Sequence, residues 1–246
     1  MTTTVILVHG AFAESSSWND VAEKLLSEGC NVIAYANPLR SIADDAAGLT
    51  GLVGSVEGRV VLVGHSYGGA VITNVSAEAG DIVGLVYVAG FALEAGESPA
   101  EASGLAPGGT LGETLMRVPL PDGTVDLYIS PSRFHQQFCA DLPVREAQLL
   151  AATQRPVTEA ALGEGSGGAP SWKAIPSWFV FGDQDLNIPA AAHRIMAKRA
   201  NSRRTVEIAG ASHVVGMSHS SETADLILEA ARSESVAVRV EAGHAG

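Results

Sequence analysis

Six short runs of β-branched and aliphatic residues are spaced along the chain, and apolar residues recur at helical spacing between them. The runs cover 5–8, 31–36, 59–63, 82–89, 177–181 and 205–208. Helices are predicted between Trp18 and Gly29 and over 41–56, 67–79, 189–200 and 218–231. Apolar strands that alternate with helices are typical of crossover units in a parallel sheet buried on both faces. The pattern predicts an α/β fold with a mostly parallel six-stranded sheet flanked by helices.

The alternation breaks between 94 and 170, where Gly, Pro and Ala are frequent and the periodicity is irregular. A segment this long inside a compact domain is usually functional. Its Tyr128, Phe134 and Phe138 can pack internally, which favours a folded segment over the alternative of a disordered insertion. We predict a core formed by 1–93 and 171–232, an inserted cap over the carboxyl ends of the strands at 94–170, and a flexible tail at 233–246.

Composition narrows the function class. Hydrophobic residues make up 46% and charged residues 17% of the chain, which indicates a globular protein. The net charge of −12 makes nucleic acid an unfavourable partner, because phosphate backbones are also negative. We expect a small-molecule substrate and no nucleic-acid partner, and a homodimer stays open.

Cellular location and metal content are predicted from the absence of the usual signals. No basic segment precedes the short apolar run at Val5, and no apolar run reaches the ~18 residues that a membrane span needs. We therefore expect a cytoplasmic protein without membrane contact. Cys30 and Cys139 lie far apart, and the sequence has no Cys/His cluster, which predicts neither a metal site nor a disulfide framework.

Residues 64–68 read Gly-His-Ser-Tyr-Gly and connect a predicted buried strand directly to a predicted helix. A serine nucleophile on such a tight, strained turn needs small residues two positions before and after it. Gly64 and Gly68 meet this requirement. The pentapeptide alone is common by chance in a Gly- and Ser-rich chain, so the strand-to-helix context carries the prediction that Ser66 is a nucleophile.

A serine needs a neighbouring base, and in this motif the order along the chain is serine, acid, histidine. His213 lies in a loop immediately after the last predicted strand, from which it can reach across the strand ends to Ser66. We therefore predict that His213 is the base. Of the other histidines, His193 and His219 are expected at the surface, His244 in the tail, His9 and His65 as structural hydrogen-bonding residues, and His135 against the substrate.

The acid should lie on a loop beside His213, where it can orient the imidazole. Gly182-Asp183-Gln184-Asp185 follows the predicted strand 177–181 and supplies two carboxylates. Asp183 has a structural explanation as the polar residue of a Gly-Asp turn. We therefore prefer Asp185, which stands further into the loop, and Asp183 remains the alternative.

Two backbone N–H groups should stabilise the oxyanion of a tetrahedral intermediate. One is expected from Tyr67, the residue after the nucleophile. The other is expected from the loop after the first strand, where Ala11 is our choice and Phe12 the alternative.

Taken together, four segments resemble the α/β-hydrolase family: Val-His-Gly-Ala-Phe at 8–12, Gly-His-Ser-Tyr-Gly-Gly at 64–69, Gly-Asp-Gln-Asp with Ile-Pro at 182–189, and Gly-Ala-Ser-His at 210–213. The likeness covers most of 3–232 and is most similar to the compact branch that includes plant methyl-ester esterases, hydroxynitrile lyases and pyrethroid-type carboxylesterases. In that branch, hydroxynitrile lyases carry a lysine after the catalytic histidine, where this chain has Val214. Haloalkane dehalogenases and epoxide hydrolases use an aspartate nucleophile, where this chain has Ser66.

The resemblance implies a carboxylic-ester hydrolase that works without metal or cofactor through an acyl-enzyme, with Ser66, His213 and Asp185 as its triad. Candidate pocket walls are Phe12, Tyr128, Phe134, His135 and Phe138, although the spacing of the last four equally fits packing within the cap. A lyase or perhydrolase on the same triad and a slowly reacting small-molecule binding protein are the alternatives.

Overall fold

The predicted apolar runs form the central sheet of the computed structural model, which describes residues 2–233. Its strands are β1 (Thr4–Val8), β2 (Asn31–Tyr35), β3 (Arg59–His65), β4 (Asp81–Val88), β8 (Ser177–Gly182) and β9 (Arg204–Ile208). They lie in the order β2-β1-β3-β4-β8-β9, and every neighbouring pair is parallel. The prediction of a six-stranded sheet within an α/β fold is confirmed.

The register of the sheet brings the carboxyl ends of its strands together. Val8 pairs with Gly64, Gly64 with Tyr87, and Gly182 with Ile208. Every residue of β1 and β8 is buried, so the side chains on both faces of the sheet are covered. The loops after β1, β3, β8 and β9 therefore leave from one edge, which is where parallel sheets place ligand sites.

Six helices of the core flank the sheet, and four of them form two packed pairs. The six helices are α1 (Asn19–Ser27), α2 (Ile42–Gly54), α3 (Tyr67–Thr73), α8 (Ala190–Arg199), α9 (Val215–Ser218) and α10 (Ser220–Ala231). The α1 helix packs on α10 and α2 packs on α3, while α3 and α10 both contact β3 and β4. The helices α2, α8 and α10 agree with the prediction to within a few residues.

The predicted helix 67–79 is wrong in its length, because α3 ends at Thr73. Asn74 Nδ2 donates to the carbonyl of Ala70 at 2.8 Å. The same side chain accepts hydrogen bonds through Oδ1 from Ser166 Oγ at 3.1 Å and from the Gly167 N–H at 2.9 Å. This tertiary connection to a distant segment holds the end of the helix, and local periodicity does not reveal it.

Residues 94–170 contain the remaining elements: α4 (Pro99–Ser103), β5 (Leu115–Pro119), β6 (Val125–Ile129), α5 (Pro131–Phe138), α6 (Val144–Thr153), β7 (Val157–Thr158) and α7 (Glu159–Gly163). The strands form an antiparallel sheet in the order β5-β6-β7, which was not predicted. Arg40 in the loop after β2 joins this sheet to the core, since it donates to Asp126 on β6 at 2.7 Å. That the segment acts as a cap stays a prediction.

The described region ends at Ser233, whose hydroxyl donates to the Val83 carbonyl at 3.2 Å. The rest of the predicted tail, 234–246 with His244, lies outside the described residues. Within 2–233, no helix is both long and apolar enough to cross a membrane. The cytoplasmic location stays a prediction.

Candidate active site

Ser66 lies on the turn between β3 and α3 in a backbone conformation that L-residues rarely adopt, with φ 52° and ψ −121°. Such strain persists only when the surroundings hold it. The Ser66 N–H donates to the Val88 carbonyl at 3.3 Å, and the Ser66 carbonyl accepts from the N–H groups of Gly69 at 2.9 Å and Phe91 at 3.1 Å. These three hydrogen bonds hold the serine on its strained turn.

Glycines around the turn allow backbone segments to approach more closely than any side chain permits. A Cβ on Gly68 would lie 2.3 Å from the carbonyl oxygen of Val8, and one on Gly64 would lie 2.5 Å from the carbonyl oxygen of Gly68. A Cβ on Gly10 would lie 2.6 Å from Ser66 Cβ. Gly68 is therefore required by its contact with β1, and Gly64 by its contact with the start of α3.

The two backbone N–H groups predicted to bind an oxyanion belong to Ala11 and Tyr67. Neither Ala11 nor Tyr67 donates its N–H to any acceptor in the described part of the chain. The N–H of Phe12, the alternative donor, donates to the carbonyl of Arg155 at 3.0 Å. Tyr67 is anchored by its side chain, because its hydroxyl donates to the buried Asp45 at 3.0 Å.

His213 and Asp185 are both buried and form a hydrogen bond of 2.7 Å between Nδ1 and Oδ2. Asp185 Oδ1 accepts two further hydrogen bonds, from the N–H groups of Asn187 at 2.8 Å and Ile188 at 3.0 Å. Burial acts to raise the pKa of Asp185, but His213 and the hydrogen bonds from His193 and His213 outweigh it and hold the pKa below its usual range. Asp185 is therefore a carboxylate at neutral pH that orients the imidazole.

The second carboxylate of this loop has a different partner. Asp183 Oδ1 accepts a hydrogen bond of 2.7 Å from the N–H of Gly210. This hydrogen bond links the turn after β8 to the turn after β9. Asp183 therefore has a structural role, as the sequence suggests. Of the two candidates, Asp185 is the one bound to His213.

The other ring nitrogen of His213, Nε2, is buried and has no hydrogen-bond partner among the described residues. Ser66 and His213 are therefore not hydrogen-bonded in this structure. The ring of His65, which precedes Ser66, lies 4.9 Å from the His213 ring, and His65 Nε2 donates to the His213 carbonyl at 3.1 Å. Catalytic hydrogen bonds are often long without a substrate, so this geometry is compatible with a nucleophile and its base.

His193 is the functional candidate that the sequence reasoning missed. The prediction that it lies at the surface is wrong: it is fully buried on α8 and stacks on Phe181 with ring centroids 4.8 Å apart. Its Nε2 lies 3.2 Å from Asp185 Oδ2, the oxygen that also binds His213. The available signal was helical spacing, since His193, Met196 and Ala197 form one buried face.

The protonation state of His193 follows from its burial. Burial lowers the pKa of His193 and outweighs the hydrogen bond to Asp185, which acts to raise it. A neutral imidazole has one N–H, and the carboxylate Asp185 can only accept. His193 therefore donates from Nε2, and its Nδ1 is left without a partner in the described part of the chain.

A cavity of about 190 Å³ opens at Ser66. Core loops contribute Ala11, Phe12, Ser66, Tyr67, Phe91, Asn187 and Ile188, and residues 94–170 contribute Pro99, Ala100, Ser103, Leu111, Gly112, Leu115 and Leu162. None of these lining side chains is charged. The cavity can therefore hold an apolar, neutral molecule next to Ser66.

Two of the five predicted pocket walls lie near the candidate site. Phe12 lines the cavity at Ser66. Phe12 and Phe138 also line a second cavity of about 20 Å³, which is large enough for one water molecule, together with Trp18 and His65. The Phe138 ring lies 5.3 Å from the His213 ring.

The other three predicted walls, Tyr128, Phe134 and His135, line neither of these cavities. Phe134 is fully buried with its ring 5.0 Å from the Phe138 ring. His135 Nε2 bonds to the Leu142 carbonyl at 2.9 Å. Tyr128 lies on β6 and pairs with Met116 of β5. Phe134 and His135 thus serve packing and hydrogen bonding within residues 94–170, the alternative that their spacing left open.

His9 and His65 have the structural hydrogen bonds expected of them. His9 Nδ1 bonds to the Gly10 carbonyl at 2.9 Å, and its Nε2 accepts from the N–H of Asn37 at 3.0 Å. Burial lowers the pKa of His9 to about 4 and that of His65 to about 3. Within the described residues, no group of three or more His, Cys, Asp or Glu side chains is arranged to hold a metal ion.

Comparisons with known proteins add the family and the fold. The model of a family described as "Alpha/beta hydrolase family" matches residues 5–226. A polyneuridine aldehyde esterase superposes with a TM-score of 0.76 at 18% identity, over 93% of this chain and 99% of that chain. A pyrethroid hydrolase from Sphingobium faniae JZ-2 gives 0.72 at 20% identity, over 94% and 98%. A methylesterase from Arabidopsis gives 0.74 at 15% identity, over 93% and 98%. No curated protein sequence matches the chain.

Proposed function

The chain belongs to the α/β-hydrolase family, as its motifs predict, and we propose that it hydrolyses a small, uncharged carboxylic ester through an acyl-enzyme formed on Ser66. The observation that carries this proposal is the buried hydrogen bond of 2.7 Å between His213 and Asp185. The His213 ring lies 4.9 Å from the ring of His65, which directly precedes Ser66 on its strained turn. A carboxylate, an imidazole and a serine in this order are the components of nucleophilic acyl transfer.

In the proposed reaction, Ser66 Oγ attacks the ester carbonyl carbon while His213 Nε2 accepts the hydroxyl proton. Asp185 stabilises the imidazolium that forms, and the N–H groups of Ala11 and Tyr67 donate to the oxyanion. The alcohol leaves with the proton from His213. Water, activated by the same imidazole, then hydrolyses the acyl-enzyme and releases the acid. The lack of any other partner for His213 Nε2 and for the two N–H groups supports these roles.

The size and polarity of the cavity support a small neutral substrate. A volume of about 190 Å³ at Ser66 fits a short acyl or alcohol group, and the absence of charged lining residues disfavours a substrate with a charge at this position. The three similar structures are named as esterases or hydrolases of different molecules. We therefore propose the bond type and leave the identity of the ester open.

The lyase alternative has less support. The resemblance implies a lysine after the histidine in hydroxynitrile lyases, and the corresponding Val214 is buried and apolar. No lysine or arginine lines the cavity at Ser66. The cavity therefore offers no cation to a leaving anion, which favours hydrolysis over the lyase reaction.

The experiment that tests the proposal is a screen of short p-nitrophenyl esters, lactones and thioesters with the wild type and with Ser66→Ala as the blank. We expect hydrolysis of short uncharged esters by the wild type and a loss of at least ~10³-fold in kcat in the variant. Full activity of Ser66→Ala would overturn the proposal. Tight ligand binding with negligible hydrolysis of every compound would favour the binding-protein alternative.

A further inference from the structure

Asn187 is a buried amide residue at the wall of the cavity at Ser66. It lies two residues after Asp185, lines the cavity and is only 3% exposed. Its backbone is fixed, because its N–H donates to Asp185 Oδ1 at 2.8 Å. A buried amide side chain at the wall of an apolar cavity is costly unless its polar atoms find partners.

The orientation of the Asn187 amide follows from its neighbour Gln137. Gln137 Nε2 donates to the Leu186 carbonyl at 3.0 Å, and a carbonyl can only accept, so this atom is the nitrogen of Gln137. The same Nε2 donates to Asn187 Oδ1 at 2.8 Å. Gln137 Oε1 accepts from the Thr110 hydroxyl at 2.9 Å, which is consistent with that assignment. The oxygen of Asn187 therefore faces Gln137, and its Nδ2 is the remaining polar atom.

Asn187 Nδ2 has no hydrogen-bond partner among residues 2–233, and it is not fully buried. The other polar side chains that line the cavity are engaged. The Tyr67 hydroxyl donates to Asp45 at 3.0 Å, and the Ser103 hydroxyl donates to the Ala100 carbonyl at 2.8 Å. Apart from the nucleophile Ser66, Asn187 is the one lining side chain whose donor is unused.

We propose that Asn187 Nδ2 donates to a second oxygen of the substrate and selects esters that carry a carbonyl, ether or hydroxyl oxygen besides the ester group. This inference rests on the proposed ester hydrolysis and specifies its substrate class. A fully apolar ester leaves the amide dehydrated and unpaired, whereas a substrate with a suitably placed acceptor satisfies it. The preference should therefore appear between substrates of equal size.

The test uses two isosteric pairs of p-nitrophenyl esters: methoxyacetate against butanoate, and 4-oxopentanoate against 4-methylpentanoate. In each pair an acceptor oxygen replaces a methylene or methyl group. The kcat/KM ratio of each pair is divided by the ratio of the alkaline hydrolysis rates, which removes intrinsic reactivity. For the wild type we expect a corrected preference of about 10-fold or more for the acceptor-bearing ester in at least one pair.

Two variants assign the preference to Asn187. Asn187→Asp keeps an oxygen for Gln137 and removes the donor, and Asn187→Ala removes the whole amide. Both should bring the corrected ratio to 1 or below. Ser103→Ala is the matched control at the same cavity, because the Ser103 hydroxyl is already engaged, and it should change both members of a pair alike. Melting temperatures confirm that each variant is folded.

A binding arm separates this inference from the proposed function. Methyl 4-oxopentanoate and methyl 4-methylpentanoate are titrated calorimetrically into Ser66→Ala and into the double variant with Asn187→Ala. Tighter binding of the oxo ester that disappears in the double variant supports the role of Asn187 even if turnover fails. The inference would be overturned by a corrected kcat/KM ratio of 1 in both pairs for the wild type. It would also be overturned if the Asn187 variants lost kcat/KM equally for both members of every pair.

Discussion

His193 Nε2 lies 3.2 Å from Asp185 Oδ2, the carboxylate oxygen that also binds His213. All three side chains are inaccessible to solvent. The stacking of His193 on Phe181 fixes the direction of its N–H. The position of Asp185 thus depends on a residue of α8 as well as on the backbone of its own loop.

Replacing His193 should lower turnover without changing substrate affinity, because His193 positions Asp185 and does not line the cavity at Ser66. We expect His193→Leu to lower kcat by about 10-fold with KM within ~2-fold, because a misplacement of ~1 Å can cost about 10²-fold and the N–H groups of Asn187 and Ile188 still hold Asp185. His193→Gln retains a donor of similar reach and should restore most of kcat. Steady-state kinetics of both variants provide the measurement, and an equal loss in both would argue against the positioning role.

The two carboxylates after β8 should differ sharply in their effect on catalysis. Asp185→Asn removes the acceptor that orients His213 and should lower kcat by about 10³- to 10⁴-fold. Asp183→Asn keeps an oxygen for the Gly210 N–H and should leave kcat within ~3-fold of the wild type. Parallel kinetics of these two variants decide between the candidates. A greater loss in Asp183→Asn would contradict the assignment of the acid.

Two glycine substitutions should have opposite effects on stability. Gly68→Ala forces a Cβ to within 2.3 Å of the Val8 carbonyl oxygen, and we expect a loss of at least ~3 kcal/mol in the free energy of unfolding. Gly51 lies on the exposed side of α2 with nothing near a new Cβ. Gly51→Ala should therefore add about 0.5–1 kcal/mol. Urea unfolding of both variants measures the difference, and a neutral Gly68→Ala would show that the turn is not tightly packed.

The buried histidines should make the fold sensitive to acid. Burial lowers the pKa of His9 to about 4 and that of His65 to about 3, whereas an unfolded histidine titrates near ~6.5. Below pH ~6.5 the unfolded chain therefore binds more protons than the folded chain. The stability that these histidines contribute is fully present above that pH and is lost as the pH decreases. Between pH 7 and 5 we expect each histidine to account for a loss on the order of 2 kcal/mol.

Unfolding free energies at pH 7, 6 and 5 check this expectation. His65→Gln retains a donor for the His213 carbonyl and should show a smaller decrease with acid than the wild type. A stability that is constant from pH 7 to 5 would mean that these histidines are protonated equally in the folded and unfolded chains.

The strands and the neighbourhood of Ser66 could be predicted because their signals are local. Buried parallel strands are continuous apolar runs, and the turn at Ser66 needs glycines at defined positions, as the close contacts of Gly64 and Gly68 demonstrate. The positions of the loops that carry Asp185 and His213 could be predicted because each loop directly follows a strand of the sheet.

Other features depend on contacts between distant segments. The end of α3 is set by hydrogen bonds from Asn74 to Ser166 and Gly167, more than 90 positions away. The spacing of Phe134 and His135 fits internal packing as well as a pocket wall, and only the fold separates the two. His193 was missed because a histidine on a helix is usually assigned to the surface, and only the position of α8 places it beside Asp185.

Covalent labelling shows whether Ser66 is an activated nucleophile. The wild type and Ser66→Ala are incubated with a fluorophosphonate, and intact-protein and peptide mass spectrometry locate the adduct. For an activated Ser66 we expect one adduct per chain on the peptide that contains Ser66, and none in the variant. An unlabelled wild type, or an adduct that persists in Ser66→Ala, would contradict this expectation.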